Sequence, residues 1–146
     1  MRIIAGEAGS LRLSVPPSIT RPTTDRVREA MFSSLGERLI KAEVLDLFAG
    51  SGSLGIESLS RGANSALFVD KSSAADKAIE ANLRSSRLEG GRFVRRDVLS
   101  YLSTIPDEHF DLIFADPPYA RDEDTATLLA ALLEHEELAK SLKPDG

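Results

Sequence analysis

The chain has 146 residues, a net charge of −5 and no cysteine. This length suits a single domain with one hydrophobic core, and the lack of cysteine excludes disulfides and thiolate chemistry. Only two histidines are present, so we expect no metal site, and the longest purely apolar run, residues 128–133, is far too short to span a bilayer. We therefore expect a cytoplasmic, monomeric protein with one domain over residues 1–146.

Two short β-prone segments, residues 2–5 and 11–15, flank a glycine-bearing stretch near the N-terminus. The pattern predicts an antiparallel hairpin, and we assign residues 1–20 to an extension outside the main sheet. The first 41 residues carry seven basic and four acidic side chains, whereas the rest of the chain carries eleven and nineteen. This asymmetry permits local contact with phosphate, although ordinary solvated surfaces show as much.

A helix is predicted to follow, with Thr24 or Asp25 as its N-cap. Four apolar residues recur at intervals of four and predict its buried face: Val27, Met31, Leu35 and Leu39. Arg26 and Arg28 lie near the N-terminal end of this helix, where they can either reach a phosphate group or remain solvated.

The stretch from Glu43 to Gly62 organises the rest of the chain. Its apolar segment, Val44 to Phe48, predicts a strand buried on both faces of a parallel sheet. Gly50 and Gly52 can adopt positive φ and let a ligand approach the main chain, and Gly55 lets the following helix pack close to the strand. A strand, a glycine turn and a helix N-terminus in this order predict a binding element for a nucleotide-like ligand.

The glycine spacing fits the dinucleotide pattern G-x-G-x-x-G, so NAD and S-adenosylmethionine are both candidates. Asp70 closes a second apolar strand, where a carboxylate accepts hydrogen bonds from ribose hydroxyls. Asp46, just before the loop, would repel a pyrophosphate but can meet a ligand amine, which favours S-adenosylmethionine. The alternative is that Asp46 only caps backbone amides of the loop.

Asp97 and Val98 follow a third short strand around Phe93 and Val94. Ligands gather at the carboxyl ends of strands in open α/β sheets, so Asp97 is a candidate acceptor for an adenine amino group. The apolar residues after it have helical spacing, which makes Asp97 an equally good N-cap. One carboxylate can serve both purposes.

Residues 110–115 predict a fourth strand, which leads into Asp116, Pro117, Pro118 and Tyr119. Proline cannot continue a β-ladder, so the two prolines predict a rigid turn in which the carbonyl of Pro117 is free to accept a hydrogen bond. A carboxylate, a carbonyl and an aromatic ring together suit a planar nucleobase amine, because the ring stacks and the two acceptors take the amine hydrogens. The alternative is a strand end without a function.

Four motifs, taken in order, resemble the bacterial 16S ribosomal RNA guanine-N2 methyltransferase D family, which belongs to the class I S-adenosylmethionine-dependent methyltransferases. They are R-I-I-A-G at Arg2–Gly6, R-P-T-T-D-R-V-R-E at Arg21–Glu29, D-L-F-A-G-S-G at Asp46–Gly52 and D-P-P-Y at Asp116–Tyr119. The resemblance covers almost the whole chain. It implies a Rossmann-like α/β sheet with helices on both faces.

The resemblance also implies a role for each motif. Residues assigned to the cofactor are Asp46, Gly50 and Gly52 at its methionine end, Asp70 at its ribose, Asp97 at its adenine, and Phe48 and Val98 in the same site. Residues assigned to the RNA substrate are Arg21, Arg26, Arg28 and Pro118. Residues assigned to methylation of the amine are Asp116, Pro117 and Tyr119.

Two stretches depart from the family pattern. Residues 6–9 are less basic than the family's hairpin, which weakens the expectation that this hairpin contacts RNA. The chain also ends at the turn Leu142–Gly146, where the family continues into a fifth strand and a closing antiparallel pair. We therefore expect a sheet that lacks its C-terminal strands, with the strand at residues 110–115 as an apolar edge.

The reaction that this resemblance implies is methyl transfer from S-adenosylmethionine to the N2 amine of the guanine at position 966 in 16S ribosomal RNA, either free or in an assembling small subunit. Asp116 and the carbonyl of Pro117 would hold the amine hydrogens so that the nitrogen lone pair points at the methyl group, while Tyr119 fixes the base plane. Three alternatives are an adenine-N6 or protein-glutamine methyltransferase, a NAD-binding oxidoreductase and a non-catalytic RNA-binding module.

Overall fold

The computed structural model describes residues 1–15, 24–107, 109–117 and 136–144. The described strands form one parallel sheet: β1 (Glu43–Leu47), β2 (Ser65–Asp70), β3 (Gly91–Arg95) and β4 (Leu112–Ala115). Their order across the sheet is β3-β2-β1-β4. This order puts the first strand inside the sheet and confirms the predicted Rossmann-like α/β class.

The helices in the described ranges are α1 (Asp25–Leu35), α2 (Ser53–Ser60), α3 (Ser73–Ser86), α4 (Val98–Leu102) and α5 (Glu136–Ser141), with a 3-10 turn at Gly36–Leu39. Helices α1, α2 and α3 pack into a first hydrophobic cluster with Phe68 of β2. Helix α4 packs into a second cluster with Leu45 and Leu47 of β1, and Leu138 of α5 contacts the same cluster. The helices therefore cover both faces of the sheet, as predicted. Within these ranges, no helix is long and apolar enough to cross a bilayer.

Strand β1 is buried on both faces, which confirms the prediction from its apolar run. Val44 belongs to the first cluster, whereas Leu45 and Leu47 belong to the second, and the side chains of all three are inaccessible to solvent. Because side chains alternate along a strand, Asp46 lies on the same face as Val44, where α2 packs. The sequence therefore places one carboxylate inside an otherwise apolar strand.

The N-terminal segment forms the predicted hairpin. Arg2 and Arg12 make an antiparallel bridge, and the main chain of Ile3 donates to Leu11 and accepts from Ser10 over 2.8 and 2.7 Å. The side chain of Ile3 is buried in the first cluster. The hairpin thus lies outside the parallel sheet but contributes to its core.

Helix α1 begins as predicted, and one residue of its predicted buried face is exposed. Thr24 is the N-cap, and its hydroxyl accepts from the amide of Val27 over 3.3 Å. The prediction that Val27 is buried is wrong, because its side chain is 53% exposed. Arg28 and Phe32 face the core instead, and the ring of Phe32 lies 5.6 Å from that of Phe114. The helix ends at Gly36, which has a positive φ of 52°. Met31 and Leu35 are partly buried against the first cluster, and Leu39, in the 3-10 turn, is 1% exposed, so the predicted burial is confirmed for these three residues.

Strand β4 is the last strand of the described sheet. Its ladder begins at Leu112, two residues later than predicted, because Phe110 instead makes an isolated parallel bridge with Leu142. The carbonyl of Phe110 accepts from the amide of Lys143 over 2.8 Å, and the Lys143 ammonium lies 3.0 Å from the carboxylate of Asp111. The chain after α5 therefore runs alongside the beginning of β4.

Candidate functional site

The loop between β1 and α2 turns through three residues with positive φ. Phe48, Gly50 and Gly52 have φ values of 56°, 58° and 81°, so both glycines adopt the left-handed conformation that the sequence predicts. A Cβ atom at Gly52 would lie 2.8 Å from Cγ1 of Ile79 on α3. Phe48 is held in this conformation while its side chain packs against the second cluster. The loop is therefore a tight turn at the carboxyl end of β1.

Helix α2 approaches β2 closely at Gly55. A Cβ atom there would lie 2.3 Å from Cε1 of Phe68, a side chain that is fully buried. Glycine is needed for this approach, as predicted. Every residue of α2 is buried, so packing fixes the helix from its first turn onwards.

Asp46 is a buried carboxylate at the start of this turn. Its side chain is 1% exposed, and its Oδ2 accepts from the amide of Gly55 over 3.0 Å. Burial raises the pKa of Asp46 well above its ordinary value of 3.8; the hydrogen bond from Gly55 opposes this, and the charges of Asp116 and Asp70 add to it. Asp46 therefore caps one backbone amide, that of Gly55, as the capping alternative predicts. A raised pKa also means that a cationic group beside Asp46 would relieve an unfavourable charge.

Asp70 joins the end of β2 to the glycine loop. Its Oδ2 accepts from the amide of Gly50 over 3.0 Å, and its Oδ1 accepts from the amide of Ser72 over 2.9 Å. A carboxylate has about four acceptor sites, so each oxygen retains capacity for a further donor. Asp70 is thus fixed by two backbone amides at the strand end where the sequence puts it.

The strand register brings three carboxylates to one edge of the sheet. Leu47, the last residue of β1, is paired with Val69 on β2 and with Ala115 on β4. Asp70 and Asp116 directly follow these two partners, so they flank the carboxyl end of β1. Asp116 is half-buried and Pro117 is buried. The charges of Asp70 and Asp116 also raise the pKa of Asp46, as expected of carboxylates that lie near one another at this edge.

Asp97 lies at the same edge of the sheet, two residues after β3. It is the N-cap of α4, and its carboxylate accepts from the amide of Ser100 over 3.2 Å. The capping alternative is therefore correct, and the exposed carboxylate can still accept from another donor. Val98 is 3% exposed and packs in the second cluster.

The assignment of Arg28 to phosphate or solvent is wrong. Its side chain is fully buried; Nη1 donates to Glu57 over 3.2 Å, and Nη2 donates to Asp25 over 2.5 Å and to the main-chain oxygen of Arg2. The physical reason is that Glu57 is also buried and requires a cationic partner. Arg28 therefore joins parts of the fold instead of facing a substrate.

The structure describes only some of the other residues that the sequence assigns to substrate binding and methylation. Arg26 is exposed on α1, where it can reach a ligand. Arg21, Pro118 and Tyr119 lie outside the described residues.

Glu57 is an important residue that sequence analysis missed. Its carboxylate accepts from the amides of Ile4 and Ala5 over 2.7 and 3.1 Å, and from Nε of Arg61 over 2.9 Å. A signal was present, because Glu57 is the one charged residue between Ser53 and Ser60. A lone carboxylate in such a helix indicates a buried group with specific partners.

Asn82 was also missed, although its position carried a signal. It lies three and four residues after Ile79 and Ala78, which puts it on the apolar face of α3. Its side chain is 1% exposed. A polar amide at such a position is expected to satisfy its hydrogen bonds inside the protein.

A family model described as conserved hypothetical protein 95 matches residues 1–143. Ribosomal RNA small subunit methyltransferase D of Escherichia coli strain K12 is 39% identical over 132 residues, which cover 88% of this chain and 66% of that protein. Putative rRNA methyltransferase YlbH of Bacillus subtilis strain 168 is 37% identical over 142 residues, which cover 94% of this chain and 77% of that protein. The chain thus spans just under two thirds of the first relative's length.

A solved structure shows the same fold. The putative methyltransferase yhhF from Escherichia coli superposes on this chain with a TM-score of 0.75 and 33% sequence identity. The superposition covers 92% of this chain and 72% of the other. The solved structure of a similar protein therefore supports the α/β fold that the sequence predicts.

Proposed function

This chain belongs to the conserved hypothetical protein 95 family, and we propose on that basis that it is an S-adenosylmethionine-dependent methyltransferase of small-subunit ribosomal RNA. Similarity to ribosomal RNA small subunit methyltransferase D supports the RNA substrate. The finer proposal is transfer to the N2 amine of the guanine at position 966 of 16S RNA. Such a protein would act in the cytoplasm, as a monomer, on free RNA or on an assembling subunit.

The observation that carries the proposal is the acidic site around the glycine loop. Asp46, Asp70 and Asp116 surround the end of β1, and a raised pKa at Asp46 favours a cationic ligand over the pyrophosphate of a dinucleotide. S-adenosylmethionine carries both an ammonium and a sulfonium group, so its charge fits these residues. This fit counts against a NAD-binding oxidoreductase.

The cofactor-binding roles follow from the same contacts. Asp46 would bind the ammonium of the amino-acid end, and the lack of side chains at Gly50 and Gly52 would let this end of the cofactor approach the main chain. Asp70 would accept from the ribose hydroxyls, and Asp97 from the adenine amine. Phe48 and Val98 would supply apolar contacts to the cofactor. When bound, the cofactor supplies an electrophilic methyl group.

The residues after β4 would orient the amine that receives the methyl group. A guanine N2 amine is a poor nucleophile because its lone pair is delocalised into the ring. An oxygen of Asp116 and the carbonyl of Pro117 would each accept one amine hydrogen, so that the lone pair turns out of conjugation. Tyr119 would stack on the base, with Pro118 beside it. The nitrogen would form a bond to the methyl carbon as that carbon leaves the sulfur of the cofactor, and Asp116 could accept the proton that the nitrogen loses.

Contact with the RNA backbone is proposed for Arg26 and Arg21. The exposure of Arg26 on α1 supports this role, because guanidinium groups bind phosphate through paired hydrogen bonds. Arg28 takes no part in it, since its side chain is buried.

Labelled-methyl transfer tests the proposed substrate class. The chain is incubated with methyl-labelled S-adenosylmethionine and, in separate reactions, with unmodified 16S RNA, small subunits lacking the modification, single-stranded DNA and a glutamine-containing peptide. We expect label only in the two RNA samples, on guanine N2 after nucleoside digestion. Label in DNA adenine or in glutamine would assign the site to a different amine, and competition of NADH against cofactor binding would support the dinucleotide alternative.

A further inference from the structure

Asn82 makes three hydrogen bonds that join two separate parts of the chain to α3. Its Oδ1 accepts from the amide of Ser14 over 2.7 Å, and its Nδ2 donates to the carbonyl of Ser14 over 2.9 Å. The same Nδ2 donates to the carbonyl of Ser51 over 3.0 Å. Both donors of the amide and its oxygen are therefore used.

The two partners of Asn82 have different roles in the fold. Ser14 ends the second strand of the N-terminal hairpin, whereas Ser51 lies between the two glycines of the proposed cofactor loop. The hydroxyl of Ser51 also lies 3.7 Å from the sulfur of Met1, in a weak hydrogen bond, and Ser51 is 4% exposed. Hairpin and loop thus meet at one buried position.

The first strand of the hairpin is held independently of Asn82. The amides of Ile4 and Ala5 donate to Glu57, and the amide of Ala8 donates to the hydroxyl of Ser60 over 2.9 Å. Loss of Asn82 would therefore not detach the hairpin. It would leave the carbonyl of the buried Ser51 without this partner, which is costly, and it would release Ser14, an exposed residue whose amide and carbonyl can bond to water instead.

We propose that Asn82 is a positioning residue that couples the end of the hairpin to the cofactor loop. The inference rests on the proposed function, because it takes the loop to bind S-adenosylmethionine. Because the bonds of Asn82 to Ser51 and to Ser14 are both formed in the structure, a cofactor that stabilises the loop would also stabilise the position of Ser14 through Asn82. By thermodynamic linkage, a held hairpin strengthens cofactor binding by the same factor as the cofactor strengthens the hairpin.

Hydrogen exchange and calorimetry of Asn82→Ala test this coupling. In the wild-type protein, S-adenosylmethionine should slow amide exchange in residues 11–14 as well as in the loop. In Asn82→Ala, the hairpin effect should disappear, and the dissociation constant of the cofactor should rise at least about fivefold. A residue that only stabilises the fold would change the melting temperature without removing the cofactor-dependent exchange of residues 11–14.

Two further variants make the test specific. Asn64→Ala is a control for the loss of an asparagine side chain, because Asn64 is exposed and bonds to the side chain of Glu43; it should leave both readouts unchanged. Asn82→Leu keeps the approximate size of the side chain but has neither donor nor acceptor, so it should also uncouple the hairpin and serves if Asn82→Ala does not fold.

The possible results separate this inference from the proposed function. No binding of S-adenosylmethionine by the wild-type protein would overturn the proposed function, and the inference with it. Tight binding by the wild type, with hairpin protection retained in a folded Asn82→Ala or Asn82→Leu variant, would overturn the inference alone.

Discussion

Arg28 donates from Nη1 to Oε1 of Glu57 over 3.2 Å, and both side chains are fully buried. Through this pair, α1 is joined to α2, the helix that follows the glycine loop. The same carboxylate accepts from the amides of Ile4 and Ala5, so it also holds the hairpin. One buried anion therefore connects three elements that are separated along the chain.

Glu57→Ala should strongly destabilise the protein. The substitution removes the buried anion beside Arg28, which then keeps only the exposed carboxylate of Asp25 as an ionic partner. Removing one partner of a buried ion pair costs about 3–5 kcal/mol. Urea denaturation measures the change in the free energy of unfolding. The control is Glu80→Ala, because Glu80 and Arg84 form an exposed pair with the same spacing as Glu57 and Arg61; its expected cost is under about 1 kcal/mol. Equal losses in the two variants would contradict the role of Glu57.

Asp46→Asn should become more stable than the wild type as the pH rises. Folding raises the pKa of Asp46, chiefly through burial, so its stabilising contribution is complete below the ordinary pKa of about 3.8 and is lost as the pH rises through the folded pKa. Asparagine cannot ionise, yet its oxygen can still accept from Gly55. Urea unfolding of both proteins across the pH series gives the difference directly. If the wild type instead gained stability relative to the variant as the pH rises, the pKa of Asp46 would be lowered by folding and the prediction would be wrong.

Gly55→Ala should cost about 1–3 kcal/mol of stability, because its Cβ would overlap the buried ring of Phe68. The double variant Gly55→Ala/Phe68→Leu should recover part of this loss, since the smaller side chain makes room. Gly36→Ala is the control: it is strained by its positive φ, but nothing lies within 4 Å of the added Cβ. The stability losses of Gly36→Ala and Phe68→Leu should simply add in the double variant, whereas Phe68→Leu should reduce the loss caused by Gly55→Ala. Thermal or urea unfolding of the single and double variants measures both.

Asp70→Ala should weaken binding of S-adenosylmethionine by about 1–3 kcal/mol, the scale of a charge-assisted hydrogen bond. Part of the effect would come from release of the Gly50 amide, which Asp70 holds in the apo protein. Calorimetric titration measures the affinity, with Asp107→Ala as an exposed carboxylate control. Unchanged affinity in a folded Asp70→Ala protein would remove Asp70 from the cofactor site.

The sequence predicts the elements that depend on local chemistry. Apolar residues in β1, glycines in the following loop and Asp70 at the end of β2 lie together along the chain, and each has a conformational preference of its own. Their order therefore identifies the strand, the turn and the carboxyl edge of the sheet before any tertiary contact is known.

The errors arose where distant residues decide the structure. Helical spacing favoured Val27 for the core, but Phe32 packs on Phe114, which lies far away in the sequence. Arg28 looked like a surface residue because its partner Glu57 lies 29 positions further on. Periodicity reports which residues share a face; it does not report which face meets a buried charge.

Single-turnover methyl transfer by Asp116→Ala tests the central claim most directly. Wild-type protein and variant are given methyl-labelled S-adenosylmethionine and unmodified 16S RNA, and cofactor affinity is measured in parallel. Asp111→Ala is the control, because Asp111 lies before β4, at the end opposite Asp116, and bonds to Glu43 and Lys143. We predict RNA methylation by the wild type and by Asp111→Ala, and a loss on the order of 10²-fold or more in Asp116→Ala with little change in cofactor affinity. Near-normal transfer by Asp116→Ala, or no transfer by a wild-type protein that binds the cofactor, would contradict the account.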